Sequence, residues 1–299
     1  MSSALIENQQ AATAADILKI NPFVQVETQA FTDSKTTIAI RGFEPANGYL
    51  SGHAVDGIRV EFLDPISLED KERVEVWSGL TSFLYGPTNV GGLINYVYKR
   101  PTETPLASMT IGDYGGLAGY VHGDFGGPID KDGQFYYRLN IVGQDGNTEI
   151  DGQRVVREIV TGALDWHANE NLKMGILLSH EYQDTIGVIP VWLAAVNPNG
   201  TLAYNYNTVP NPYKTFTDSF NTTPIETDKA EWNAVWKLNE IFTYRTAFYF
   251  SNNYYYSNII ATNQNIDNFG NYDRAEQRAS GLDTMVFAGY SLFDASFNT

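Results

Sequence analysis

From residue 102 to residue 299, apolar side chains return at every second position in segments of about ten residues, and this alternation constrains the fold more than any other feature of the chain. In Phe135-Tyr136-Tyr137-Arg138-Leu139-Asn140-Ile141 the odd positions are apolar, while Arg138 and Asn140 face the other way. Ala230 to Leu238 is apolar at its even positions, opposed by Glu231, Asn233 and Lys237. Phe242 to Phe250 again loads its even face, and Leu172, Met174, Ile176 and Leu178 repeat the device. A period of two is that of a pleated strand, and 19 Tyr and 16 Phe suit pleated surfaces. About ten residues is the length with which a strand tilted near 45° crosses a bilayer. No transmembrane helix is expected, because the longest apolar stretch, Val188 to Val196, is broken by Pro190. The mean hydropathy of -0.27 is compatible with a membrane barrel, whose strands alternate lipid-facing and lumen-facing residues.

Strands are expected near 104–112, 116–126, 134–145, 153–167, 171–185, 229–239, 241–260 and 272–290, with a ninth beginning near 294. The links at 127–133, 168–170 and 240 are short, and those at 146–152, 186–228 and 261–271 are longer. Short turns at one rim and long loops at the other are the habit of outer-membrane barrels. A sheet ending at Thr299 would leave unpaired backbone groups in lipid, at several kcal/mol each. Closure at eight strands would fill the interior with side chains. The expectation is therefore a run of antiparallel transmembrane β-barrel strands, about eight or nine of a larger barrel, in a chain that is a fragment.

Before Pro101 the pattern is different. Ser2 to Gln10 reads as a helix, and Asp16 to Ile20 as a helix end closed by Asn21-Pro22. Val24–Val26, Thr37–Ile40, Val55–Val60, Val74–Trp77 and Gly92–Lys99 read as short strands, with Glu69 to Lys71 a polar shoulder between two of them. This is a small mixed α/β unit. The start at Met1 lacks the basic and apolar regions of a signal peptide.

Several function classes are excluded or unsupported. The formal charge of -16 argues against nucleic acid. With no cysteine there is no disulfide, thiolate metal site or cysteine nucleophile. Gly86 to Gly92 has the glycine spacing of a phosphate loop, but Gly92 and Leu93 stand where Lys and Ser/Thr are needed. His53, His122, His167 and His180 show no metal-ligand spacing, and no carboxylates pair for acid-base work. No enzyme activity and no cofactor are expected.

Five blocks then occur in order: Ile40-Arg41-Gly42-Phe43, Val55-Asp56-Gly57-Ile58, Glu72-Arg73-Val74-Glu75-Val76, Leu84-Tyr85-Gly86, and Gly91-Gly92-Leu93-Ile94-Asn95 running to Lys99-Arg100-Pro101. This series resembles the plug domain of TonB-dependent outer-membrane receptors, particularly the siderophore-receptor branch. Asp124-Phe125-Gly126-Gly127-Pro128 with Tyr137-Arg138-Leu139 resembles the first barrel hairpins of that branch. The resemblance implies a plug domain over 1–101, truncated at its start, and a partial barrel over 102–299, out of about 22 strands enclosing a plugged lumen. Signal peptide and TonB-contact segment are not recognisable. Gly79-Leu80 also departs from the Gly-Pro that often precedes the Leu-Tyr-Gly block.

The resemblance implies a receptor in the outer membrane of a Gram-negative bacterium. It would take up a ferric siderophore with energy delivered through the partner TonB, the plug gating the barrel. Ligand contacts are expected from Arg41, Phe43, Tyr49, Arg59, Glu61 and Phe62 on the plug, and from Trp192, Tyr204 and Tyr206 in the longest loop. Aromatics with a few cations suit a chelate that stacks and carries residual negative charge. Arg41 has a second reading, as a tether holding plug to barrel, and Arg73 is expected to reach the barrel wall. Gly57, Gly86, Gly91 and Gly92 are expected at tight turns. Trp166, Trp232 and Trp236 are expected in the interfacial girdle. Alternative cargoes are vitamin B12, haem or a glycan. Other classes are a passive porin or adhesin barrel, and a soluble β-rich binding module in which Phe242, Tyr244 and Phe248 would be core residues.

Overall fold

The computed structural model describes residues 1–26, 38–43, 52–60, 66–79, 91–197, 199–201, 211, 213, 218–266 and 271–297. The first hundred residues begin with helices α1 (Ser3–Asn8) and α2 (Ala14–Leu18). Thr13 starts α2, and its N–H and hydroxyl both donate to the Asp16 carboxylate at 3.0 Å. Strands β1 (Val24–Val26) and β2 (Ile38–Ile40) pair antiparallel. A second sheet has the order β4-β3-β6-β5, from β3 (His53–Val55), β4 (Ile58–Val60), β5 (Lys71–Ser78) and β6 (Gly92–Tyr98). Every residue of β6 is buried, which explains its near-continuous apolar run. Ile6, Ile17, Leu18, Ile38, Ile40, Leu68, Val74 and Ile94 close one core, each large aliphatic contributing roughly 1.5–3 kcal/mol.

Val55 to Val60 is a hairpin rather than the single strand expected from its apolar content. Asp56 and Gly57 both take positive φ, 47° and 78°, the primed turn whose twist matches its flanking strands. The Asp-Gly pair was the signal for it.

From Leu106 the chain forms one sheet of β7 (Leu106–Asp113), β8 (Gly119–Pro128), β9 (Phe135–Asn147), β10 (Arg154–Asn169), β11 (Leu172–Ile186), β12 (Val191–Ala194), β13 (Ile225–Lys237), β14 (Phe242–Ile266) and β15 (Asp273–Ala295). Sequence neighbours pair antiparallel throughout, apart from β12, a short strand within the long connection that lies parallel to β14. The expected ninth strand near 294 does not occur, since β15 continues to Ala295. Connections 129–134, 170–171 and 238–241 lie at one rim, and 114–118, 148–153, 187–224 and 267–272 at the other. The contrast between rims rests on 187–224 and on the β14–β15 hairpin. The 25 residues of β14 and 23 of β15 run far past the length of a membrane crossing. No described helix is long and apolar enough to cross a membrane.

Burial alternates along each strand. On β10 Val155, Arg157, Ile159, Thr161 and Ala163 are buried, while Glu158 and Val160 are exposed. The outward face of the wall is apolar in consecutive register rows: Tyr137, Leu164, Ile176, Trp232, Phe248, then Leu139, Gly162, Leu178, Ala230, Phe250, Phe287. Two rows further along, the same face reads Glu158, Tyr182, Glu226, Tyr254, Asp283. At the opposite end Phe135 stacks on Trp166 at 6.0 Å and Phe242 lies 5.3 Å from Phe293, an aromatic edge to the band. Trp166, Trp232 and Trp236 are outward and exposed, as a girdle requires. Phe248 is 48 % exposed and neither Phe242 nor Tyr244 is buried, so the soluble-module reading fails its own criterion.

Candidate functional site

The inner face of the wall is polar and buried, and the N-terminal unit is fastened to it at three places. Burying a charge is tolerable only when it is paired and hydrogen-bonded, and each fastening meets that condition with charges from both sides. The first centres on Arg157 of β10, which has no exposed side-chain surface. Its guanidinium donates to both oxygens of Glu69 at 2.9 Å, to Ser67 at 3.0 Å and to Gln144 at 2.9 Å. Thr161 donates to the adjacent Asp70 at 2.8 Å, and Tyr114 donates to Glu69 at 2.9 Å. Asp70 also pairs with Lys71, whose ammonium stands 3.8 Å above the Tyr98 ring.

The second is a chain of charge from Lys99 to Asp124 of β8 at 2.9 Å, and from Arg138 of β9 to the same carboxylate at 2.8 Å. The third is Arg100, which bridges Asp56 at 2.8 Å and Glu231 of β13. Asp56 sits at the hairpin turn, held there by the Tyr98 amide donating to its carboxylate at 3.2 Å and by Gly57 donating to the Asn95 side chain at 3.0 Å. Around this joint Val55, Ile58, Val60 and Tyr98 pack on Ala163, Leu177, Ala247 and Tyr249 of the wall.

Burial shapes the protonation of these groups. Desolvation, and then the facing Glu231 carboxylate, push the Asp56 carboxyl well above the usual range against the pull of Arg100. Burial alone would raise Asp70 too, but Lys71, Lys229 and the Thr161 hydroxyl hold it below the ordinary carboxylate value. His53, stacked on Tyr96 at 6.0 Å, is driven down to about 4 by burial and is neutral at pH 7.

The expected ligand residues are only partly placed. Arg41 and Phe43 share one exposed turn after β2, with Arg41 at a φ of 55°. Its amide donates to the Phe23 carbonyl at 2.8 Å, and both Phe23 and Phe43 are more than half exposed. Gly91 lies against this turn: a Cβ there would come within 2.7 Å of the Ile40 carbonyl. Arg59 is half-buried on β4 opposite Ala54, on a different sheet. Trp192 lies on β12, its backbone in register with Asn263. Tyr49, Glu61, Phe62, Tyr204, Tyr206 and Gly86 lie outside the described residues.

One reading is corrected. Arg73 does not reach the barrel wall but pairs with Glu75 on its own strand at 2.6 Å, half-exposed. The wall is reached instead by Lys99, Arg100 and the 67–71 segment, whose Glu69 to Lys71 read as a polar shoulder between two strands. Their partners were visible in sequence as charges on the polar face of membrane-length strands, where an ionisable residue needs a partner.

A family model described as the TonB-dependent receptor plug domain matches residues 1–93. The ferrichrome outer membrane transporter/phage receptor of Escherichia coli K12 is 29% identical over 174 residues, 56% of this chain and 23% of that protein. The ferrichrome receptor FcuA of Yersinia enterocolitica is 29% identical over 219 residues, 70% of this chain and 28% of that protein. Among solved structures, the ferric preacinetobactin receptor BauA of Acinetobacter baumannii superposes with a TM-score of 0.83 at 18% identity, covering 100% of this chain and 43% of that one. The open form of the ferric-catecholate import receptor Fiu of E. coli K12 gives 0.82 at 19%, covering 100% and 46%. The chain thus spans about a quarter of the length of the curated relatives it matches. The plug-domain model matches the first 93 residues, and the fold along the whole chain is the one these receptor structures share.

Proposed function

We propose that the protein to which this chain belongs takes up a ferric siderophore across the outer membrane of a Gram-negative bacterium, with the plug gating the barrel and TonB supplying the energy. The observation that carries this reading is the plug domain seated against the strands through Arg157–Glu69, Lys99–Asp124 and Arg100–Glu231. A closed lumen lets the receptor bind cargo without leaking solutes, and coupled work then moves the plug. The relatives named for ferrichrome support an iron chelate as cargo over vitamin B12, haem or a glycan.

We place the boundary between plug and barrel at Pro101, between the end of β6 at Tyr98 and the start of β7 at Leu106. Arg41 and Phe43 are the plug residues assigned to the chelate, because a cation and an aromatic face share one exposed turn. Tyr49, Arg59, Glu61, Phe62, Trp192, Tyr204 and Tyr206 complete the proposed contact set. The chelate is substrate, and the chemistry requires no catalytic group.

The test is uptake of radiolabelled iron by cells whose only siderophore receptor is this one, offered ferrichrome, ferrioxamine and a ferric catecholate in turn. Accumulation of at least one, abolished when TonB is deleted, is the expected result. No accumulation of any, with tight binding of vitamin B12, haem or an oligosaccharide instead, overturns the reading.

A further inference from the structure

The outer wall carries a group of residues that plug and transport do not use. His180 of β11 faces Asp228 of β13 directly, its Nδ1 2.8 Å from the carboxylate, and Glu226 lies two residues along on the same face. One ligand atom from each of the three lies within 4.8 Å of the others. Among the described residues neither Glu226 nor Asp228 is paired with a lysine or arginine; Glu226 receives only the Tyr256 hydroxyl. The three side chains thus set two carboxylates and one imidazole around one point at the edge of the apolar rows, a donor set that a divalent cation can join.

A second observation lies directly against the first. A groove of about 770 Å³ opens on the same outward face, walled by Tyr137, Val160, Ile176, Leu178 and Phe250, and its edge is formed by His180 and Asp228. Its depth comes from Gly162, where an added Cβ would meet nothing within 4 Å, and from Ala230, which lies across Leu178 in the same row. The groove lies in the rows that face lipid, and the three ligands stand where those rows give way to Glu158, Tyr182 and Tyr254.

We propose that His180, Glu226 and Asp228 bind a divalent metal ion on the outer wall, and that this ion fastens the phosphate of a membrane lipid whose acyl chain fills the groove. One imidazole nitrogen with two carboxylates suits a borderline divalent ion, with positions left for water or phosphate oxygen. Without the ion the site repels a phosphate; with it the local charge is inverted, which makes the pairing of headgroup and groove self-consistent. The inference rests on the strands spanning a bilayer, and it is independent of which cargo the receptor carries.

The experiment uses the full-length receptor purified in detergent, with Mn²⁺ as the probe, read by electron paramagnetic resonance. Glu226→Gln with Asp228→Asn should weaken Mn²⁺ binding at least tenfold while leaving ferric siderophore binding and heat-modifiable gel mobility unchanged. Native mass spectrometry with added phosphatidic acid should show lipid adducts that require Mn²⁺. Those adducts should fall in Gly162→Leu, which fills the groove and keeps the metal ligands. Equal Mn²⁺ affinity in wild type and the double variant overturns the metal site. Adducts that form equally without Mn²⁺, or equally in Gly162→Leu, overturn the lipid assignment. Loss of siderophore binding by the wild type would count against the receptor reading and not against this site.

Discussion

Arg157 shows what a single residue does here. Its side chain is wholly enclosed, so its charge is offset by Glu69 and by the neutral acceptors of Ser67 and Gln144 rather than by water. Removing one partner of such a pair leaves the other charge buried, which costs roughly 3–5 kcal/mol, far more than an exposed pair such as Arg154–Asp145 contributes. Arg157→Ala should therefore loosen the plug, seen as faster hydrogen exchange over residues 66–79, whereas Arg154→Ala should leave exchange there unchanged. His53 makes a second residue-scale prediction. Its folded pKa of about 4 lies below the unfolded value of 6.5, so the unfolded chain binds the proton more readily. Its contribution is fully present above about pH 6.5 and is lost as pH falls toward 4. Plug stability, followed by limited proteolysis between pH 7 and 4, should decline less steeply in His53→Phe than in the wild type.

Among the elements, the strands divide the wall into two solvents. Leu178 lies in the apolar rows and Tyr182, on the same face of β11, in the polar row beyond them. A cation near the middle of the lipid band costs about 2–4 kcal/mol and near its edge about 0–1. Leu178→Lys should accordingly lower the denaturant midpoint of the refolded barrel, while Tyr182→Lys should shift it little. This alternation was legible in the sequence because lipid and lumen impose opposite chemistries on neighbouring residues. The turn at Gly57 was read without dividing Val55–Val60 into its two strands, and the anchoring of Glu69 and Asp70 was not read, although both signals were local. An Asp-Gly pair inside an apolar run favours a turn, and charged residues next to a plug strand have no solvent to face once the barrel surrounds them. Arg73 misled for the opposite reason: Glu75, two residues along on the same strand face, satisfies it before the wall can. Which long-range partners the lumen charges take depends on strand register, and register is a property of the assembled sheet rather than of any one segment.

For the molecule as a whole, the division of labour follows from the medium. Apolar side chains face lipid, polar ones face inward, and the plug meets the inward set with complementary charge at Lys99, Arg100 and the 67–71 segment. Under the proposed function, a plug held this way would be released by work, since ion pairs and hydrogen bonds can be exchanged for water. In the proposed uptake, the exposed Arg41–Phe43 turn is the part of the described plug assigned to the chelate. The most direct test of the receptor account is a fluorescence titration of the full-length protein with ferric siderophores. The wild type and Arg157→Ala should bind one of them tightly, and Arg41→Ala with Phe43→Ala should bind it at least tenfold more weakly. Affinity that is absent in the wild type, or unchanged when the turn is stripped of both side chains, would contradict it.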